Sequence, residues 1–204
     1  MISITKKDKS IQEFDPTKIV KRLKDQSYGL KVDYHEVAIN TQKRLPSNTT
    51  SYEIDQIAAD NAYSLSTTHW DYNILGARLL MTALHKEVEK DLEKYLDINS
   101  DVLHEDLKPK YLKWKNEIDD LVNKNTDNDL KFDYLGIKSL MNTYLLNKEV
   151  NRNKVITELP YQMYFRVALF LADSFEDFSK IFIALSDHKV SVATPVLLNA
   201  GTKN

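Results

Sequence analysis

Lysines gather near the start of the chain, in the stretch TKKDKSIQEFDPTKI: Lys6, Lys7 and Lys9 sit together and Lys18 follows. Lys18 falls in the first turn of a helix that Asp15-Pro16 begins. A cation there gains nothing from the helix dipole, whereas backbone N–H groups at such an end favour anions. The grouped amines therefore suit a polyphosphate; a solvated, lysine-rich hairpin accounts for the same residues. Ser51 and Asp55 stand at i and i+4 and share one helix face. A hydroxyl and a carboxylate so placed can meet a ribose or a phosphate, or serve as a cap and a surface carboxylate. Lys86 reads, by itself, as one more exposed lysine.

Other chemistries lack their residues. The chain has no cysteine, which removes disulfides, zinc ribbons and thiol catalysis. His35, His69, His85, His104 and His188 have no metal-ligand spacing. There is no Gly-rich phosphate loop and no strained nucleophile turn. Two Trp and eleven Tyr are scattered, as core and interface packing would have them, rather than arrayed to stack bases. A net charge of −2 offers no field for nucleic acid or an anionic membrane. No apolar run approaches the ~20 residues of a membrane span, and the N-terminus reads as no secretory signal. A cytoplasmic location is expected.

These side chains must be positioned by a mostly helical chain. Residues 2–14 read as two short strands around a charged tip. Asp15 and Pro16 cap and start a helix that Gly29 ends. A second helix spans about 34–45. Thr50 with Glu53 forms a capping box before Ile54, Ile57, Ala58, Ala62 and Leu65 at helical period. Asp71 is expected to cap one long helix through residue 96, with Ala77, Met81, Leu84, Val88 and Leu92 as its buried stripe. Composition shifts near residue 94. Later helices are expected around 112–122, from Pro160 and from Ser174, with NKNTDNDL as a loop. From Lys189 a period of two predicts a terminal strand.

In this order, several stretches resemble one family. ITKKDKSIQEFDPTKI is similar to the opening motif of the ATP-cone, V-x-K-R-D-G followed by an apolar residue and Asp-x-x-Lys-Ile. TTSYEIDQIAADNAYSLSTTHWDYNILGARLLMTALHKE resembles the rest of that domain in class I ribonucleotide reductase large subunits. FDYLGIKSLMNTYLL, ELPYQMYFRVA and SVATPVLLNAGT resemble successive landmarks of the same subunit. The resemblance implies a mainly α (α+β) fold. An ATP-cone over 1–93, a small β-hairpin packed on helices, would precede a helical domain over 94–204. That domain would lead into the first strand of a ten-stranded α/β barrel not contained in this chain.

The same resemblance implies an allosteric site for ATP or dATP, with magnesium beside the nucleotide. Lys6, Lys7, Lys18 and Lys86 would lie near phosphates, Gln12 on the second strand, and Ser51 and Asp55 near the sugar. Ile4, Phe14 and Ile19 would form a slot for the base. Thr194 matches a position that contacts substrate phosphate. Three positions depart from the pattern. Lys9 replaces a Gly suited to a tight turn, at about 1 kcal/mol. Lys7 stands where Arg is common and lacks its fork. Gln12 replaces Glu and keeps hydrogen bonding without charge. The implied partners are the remainder of the large subunit, which carries the catalytic barrel, and a radical-generating small subunit. The expected activity is reduction of ribonucleotides to deoxyribonucleotides by that barrel; without cysteines this chain alone is expected to be inactive, a truncation or a split-gene piece. The other readings are a stand-alone nucleotide sensor and a structural piece that binds no nucleotide.

Overall fold

The structure is a computed structural model that describes residues 2–6 and 10–203; Lys7 and Lys9 lie outside the described residues. β1 (Ser3–Thr5) and β2 (Ile11–Glu13) precede α1 (Pro16–Gln26), α2 (Tyr34–Arg44), β3 (Asn48–Thr50), α3 (Ser51–Ser64) and α4 (Asp71–Glu87). Next come α5 (Leu92–Ile98), α6 (Leu107–Lys113), α7 (Lys115–Asn123), a 3-10 turn over Thr126–Lys131 and α8 (Tyr134–Ser139). A π-helical turn over Leu140–Tyr144, then β4 (Asn147–Val150), β5 (Asn153–Ile156), α9 (Pro160–Leu171), α10 (Phe175–Ser186) and α11 (Thr194–Asn199) follow. The fold is mainly α with short strands. It divides into two compact units, Met1–Glu87 with Phe132–Lys138, and Val88–Lys131 with Ser139–Asn204.

In the first unit the strands run β2-β1-β3, β1 antiparallel to β2 and parallel to β3. Ile4 pairs with Gln12 on one side and Thr49 on the other, and its side chain is buried. The caps read from sequence are present. Asp15 accepts from the Thr17 N–H at 2.9 Å, and Pro16 opens α1. Thr50 accepts from the Glu53 N–H at 3.1 Å, and Glu53 Oε2 accepts from the Thr50 N–H at 2.7 Å. Each capped end satisfies backbone donors that a helix leaves unpaired.

α3 and α4 come together closely because small residues line their contact. A Cβ on Gly76 would lie 2.9 Å from the Ala59 carbonyl oxygen, so only glycine admits that approach. Residues 132–138 join the same unit through Tyr134. Its ring stacks on Tyr63 at 4.3 Å, its N–H donates to Asn73 Oδ1 at 2.9 Å, and its hydroxyl donates to Asp60. Burial, then the Asp60 carboxylate, pushes the Tyr134 hydroxyl pKa up.

Three expected elements take another form, and the simplest is NKNTDNDL, expected as a loop, most of which is the 3-10 turn over Thr126–Lys131. The helix predicted through residue 96 breaks between Glu87 and Leu92. Asp91 caps α5 by accepting from the Lys94 N–H at 2.9 Å. The carbonyls of Glu89 and Lys90 instead accept from Gln162 Nε2 at 2.7 Å and from the Tyr161 hydroxyl at 3.2 Å. The periodic stripe persists across the break because Val88 and Leu92 are both buried anyway. The strand predicted from Lys189 is also absent, and α11 occupies Thr194–Asn199. Pro195 favours a first helical turn and has no N–H for a ladder. The extended residue Ala193 stands at the helix start.

Arg166 explains what holds α11. Its side chain and that of Glu158 are fully buried in the second unit. Nε donates to Glu158 Oε1 at 2.9 Å, Nη1 to the Ala200 carbonyl at 2.6 Å and Nη2 to the Leu197 carbonyl at 3.0 Å. The Tyr95 hydroxyl donates to Glu158 Oε1 at 2.6 Å. Gly201, at φ +78°, lies so near that a Cβ would sit 2.7 Å from Arg166 Cγ. Burial is the largest single influence and opposes the guanidinium charge, but the Glu158 carboxylate and the Tyr95 hydroxyl together raise the Arg166 pKa above its usual value. Tyr95, which touches this pair, belongs to a run of fully buried rings: Tyr95 and Tyr111 pack on Phe165, Phe165 on Phe178 and Phe178 on Phe182.

A buried ion pair is costly to break from one side because the remaining charge has no water. Glu158→Ala is expected to cost the chain about 3–5 kcal/mol in urea unfolding; a loss below ~1 kcal/mol would contradict the role given to this pair.

Candidate functional site

Three helices and the sheet meet around a cavity of about 460 Å³ in the first unit. β1 supplies Ile4, and Lys6 lies just past its end. β2 supplies Gln12, with Phe14 just beyond. α1 brings Asp15, Lys18 and Ile19 to the wall from its first turn. α3 contributes Ser51, Ile54 and Asp55 from its own first turn and the residue after it, and the last turn of α4 ends the wall with Lys86 and Glu87.

The residues proposed from sequence therefore come together. Lys6, Gln12, Lys18, Ser51, Asp55 and Lys86 all line this one cavity, although they span 80 positions of the chain (86 less 6). Ile4, Phe14 and Ile19, the expected apolar slot, line it too, and Ile54 joins them. Thr194 belongs to the second unit. It is the first residue of α11, exposed, with its hydroxyl 3.0 Å from the Tyr144 hydroxyl.

The polar groups are already engaged with each other. Lys18 Nζ donates to Gln12 Oε1 at 3.3 Å. Lys86 Nζ lies 3.3 Å from Asp55 Oδ2. Arg22, one turn beyond Lys18 on α1, reaches the same carboxylate, with Nη2 at 3.1 Å from Oδ2 and Nε at 3.3 Å from Oδ1. The hydroxyl and N–H of Thr17 hold the Asp15 carboxyl below its ordinary pKa.

Sequence reasoning missed part of this constellation. In the sequence Asp15 stands as a cap alone, and the site residues that the resemblance implies include neither Glu87 nor Arg22. The signal for Arg22 was present, since it is i+4 from Lys18 and so shares its face of α1. Among the described residues, Asp15, Asp55 and Glu87 on the wall match the three amines of Lys6, Lys18 and Lys86. The cavity is thus amphoteric, with an apolar slot beside paired charges. It can accept a ligand that has a flat apolar part, hydroxyl donors and an anionic tail, provided the tail competes for the amines. Among the described residues no group of three or more His, Asp or Glu could hold a metal ion, and no helix is long and apolar enough to cross a membrane.

Comparison with known proteins gives two family matches. Residues 2–87 match the ATP cone domain, and residues 130–204 match the all-alpha domain of ribonucleotide reductase. Among relatives, the ribonucleoside-diphosphate reductase large subunit of Caenorhabditis elegans is 31% identical over 98% of this chain and 26% of its own length. The alpha subunit of that reductase from Helicobacter pylori (strain 26695) is 31% identical over 99% of the chain and 26% of its own length. Large chain 2 of the Saccharomyces cerevisiae reductase is 31% identical over 93% and 23%. The chain thus spans about a quarter of the length of the curated relatives it matches.

Asp15 gives the site a simple check. Because its folded pKa is lowered, its contribution to stability is present above the ordinary value of 3.8 and is lost as pH falls through the lower folded value. A carboxyl NMR titration is expected to place the Asp15 midpoint below 3.8; a midpoint at or above it would mean that the Thr17 hydrogen bonds do not hold in solution.

Proposed function

This chain belongs to the ribonucleotide reductase large-subunit family, and from that premise we propose that its first unit is an allosteric nucleotide site for ATP and dATP. The observation that carries this is the convergence of Lys6, Lys18 and Lys86 with Ser51, Asp55 and Gln12 on one cavity that also holds an apolar slot. In this reading the adenine lies among Ile4, Phe14, Ile19 and Ile54. The sugar hydroxyls meet Ser51 and Asp55. The phosphates take the amines of Lys6, Lys7, Lys18 and Lys86, near the first turns of α1 and α3, where backbone N–H groups favour anions. Gln12 hands Lys18 to the phosphate.

The three wall carboxylates bear on the form of the ligand. A bare triphosphate would meet Asp15 and Glu87 as well as the amines, so a magnesium complex, with less negative charge, suits the wall better. The nucleotide, not the protein, would bring that ion.

We further propose that residues 1–93 act as the cone and 94–204 as the helical domain of a large subunit. Binding at the cone would set the rate at which a catalytic barrel reduces ribonucleoside diphosphates to deoxyribonucleotides, in the cytoplasm, with a radical-generating small subunit as partner. Thr194 is assigned to substrate phosphate. Its placement at the start of α11, fixed by Arg166 on the Leu197 and Ala200 carbonyls, supports a stationary hydroxyl there.

Calorimetric titration of the 204-residue chain with magnesium-ATP and with magnesium-dATP is expected to give saturable binding. Lys18→Gln or Lys86→Gln is expected to weaken it about tenfold or more, the worth of a charge-assisted hydrogen bond. No saturation by either nucleotide at millimolar levels would favour the reading as a structural piece instead.

A further inference from the structure

Arg22 is not among the residues that line the cavity, yet it holds the carboxylate that is. Two of its nitrogens take the two oxygens of Asp55, at 3.3 Å from Nε to Oδ1 and 3.1 Å from Nη2 to Oδ2. Such a fork fixes the plane of a carboxylate as well as its place. The guanidinium is itself propped from behind. Nη2 also donates to Thr82 Oγ1 at 2.6 Å, and the Thr82 hydroxyl donates to the Arg78 carbonyl at 2.6 Å, one turn back on α4. With its own proton committed to Arg78, the Thr82 oxygen faces Arg22 as an acceptor.

Lys86 differs. It approaches Asp55 through one amine at 3.3 Å on a flexible stem, and its side chain is 57% exposed, against 20% for Arg22. An anion entering the cavity can compete with Asp55 for the exposed Lys86 amine, whereas Arg22 is tied to two elements besides its own. The Asp55 side chain is 12% exposed, so without Arg22 its charge would stand in a poorly hydrated place. A carboxylate has room for about four hydrogen bonds. Arg22 and Lys86 supply three, and release of Lys86 would open room for hydroxyl donors from a ligand.

We propose that Arg22 is a positioning residue for this site: through the chain Arg78 carbonyl, Thr82, Arg22, Asp55 it sets how the cavity tells a ribose from a deoxyribose. A ribose offers vicinal 2′ and 3′ hydroxyls and a deoxyribose only the 3′. A carboxylate fixed in plane and place meets those two patterns unequally; one free to swing adapts to both. The inference rests on the nucleotide reading above and adds to it a residue outside the ligand's reach.

The test is the ratio of the two dissociation constants, for ATP and for dATP, measured on the 204-residue chain as wild type, Arg22→Met, Arg22→Lys and Thr82→Val. Arg22→Met is expected to change that ratio by about fivefold, the worth of one net hydrogen bond. Thr82→Val is expected to move it in the same direction by less, and Arg22→Lys to bring it part of the way back. Equal weakening of both nucleotides by Arg22→Met, or no change, overturns the proposal while the nucleotide site stands. A wild-type chain that binds neither nucleotide overturns both. Should Arg22→Met fail to fold, as judged by its circular dichroism, the folded Thr82→Val chain decides: an unmoved ratio there overturns the proposal.

Discussion

Asp55 lies on the inner face of α3 with little of its side chain left to water. A carboxylate so placed is costly unless cations meet it, and the cost of leaving one unpaired is several times the ~1 kcal/mol that an exposed pair contributes. That constraint organises the first unit. It requires Arg22 from α1 and Lys86 from α4 to converge on α3, and it brings the amines of distant segments to one wall. The close approach of α3 and α4 at Gly76 makes the convergence possible. Three helical pairs spaced i, i+4 thereby face one another: Lys18 with Arg22, Ser51 with Asp55 and Thr82 with Lys86. In the first two, one member is tied to the Asp55 network and the other stands beside it on the same face; in the third, both are tied, Lys86 to Asp55 and Thr82 to Arg22.

The second unit solves a like problem with full burial. Glu158 and Arg166 have no water at all, so their remaining capacity goes to Tyr95, to the Leu146 N–H and to the carbonyls of Leu197 and Ala200. Apolar side chains of similar size would serve stability as well. What the pair adds is direction, because the guanidinium, held by Glu158, donates its remaining N–H groups to backbone carbonyls at fixed angles. It thereby fixes α11 and Thr194 at its head. One unit uses a carboxylate to keep cations near a cavity, and the other uses a cation to pin a segment of backbone.

Much of this was legible where the signal is local. Asp15-Pro16, Thr50 with Glu53, and Ser174 mark helix starts that the structure has, because caps act through neighbours in sequence. The likeness of two motifs to a known domain grouped six of the cavity-lining residues, Lys6, Gln12, Lys18, Ser51, Asp55 and Lys86, while composition and spacing alone left Lys6, Lys18, Ser51 and Asp55 open between an anion site and ordinary surface or capping roles, and Lys86 as one more exposed lysine. The rest was not local. β3 is three polar residues after Pro46 and becomes a strand only because β1 lies beside it. β4 and β5 carry charged residues without apolar alternation, and their turn uses Asn151 and Arg152 at φ 52° and 64° where Asn-Gly would have announced it. The carbonyls at the break after Glu87 are met by donors far along the chain, Tyr161 and Gln162, and the helix found where a strand was expected, though Pro195 favours its start, is held by the distant Arg166. Arg22 shares a helix face with Lys18, but the carboxylate that gives it a role is 33 residues away.

The central claim is that amines far apart in sequence, kept in place by one carboxylate, form a nucleotide site. Amide chemical-shift mapping of the 204-residue chain on addition of magnesium-ATP tests it most directly. The account predicts shifts concentrated at Ile4, Gln12, Lys18, Ser51, Asp55 and Lys86, with the second unit, Glu158 and Arg166 included, left unmoved. Shifts centred anywhere else, or spread evenly over both units, would contradict it.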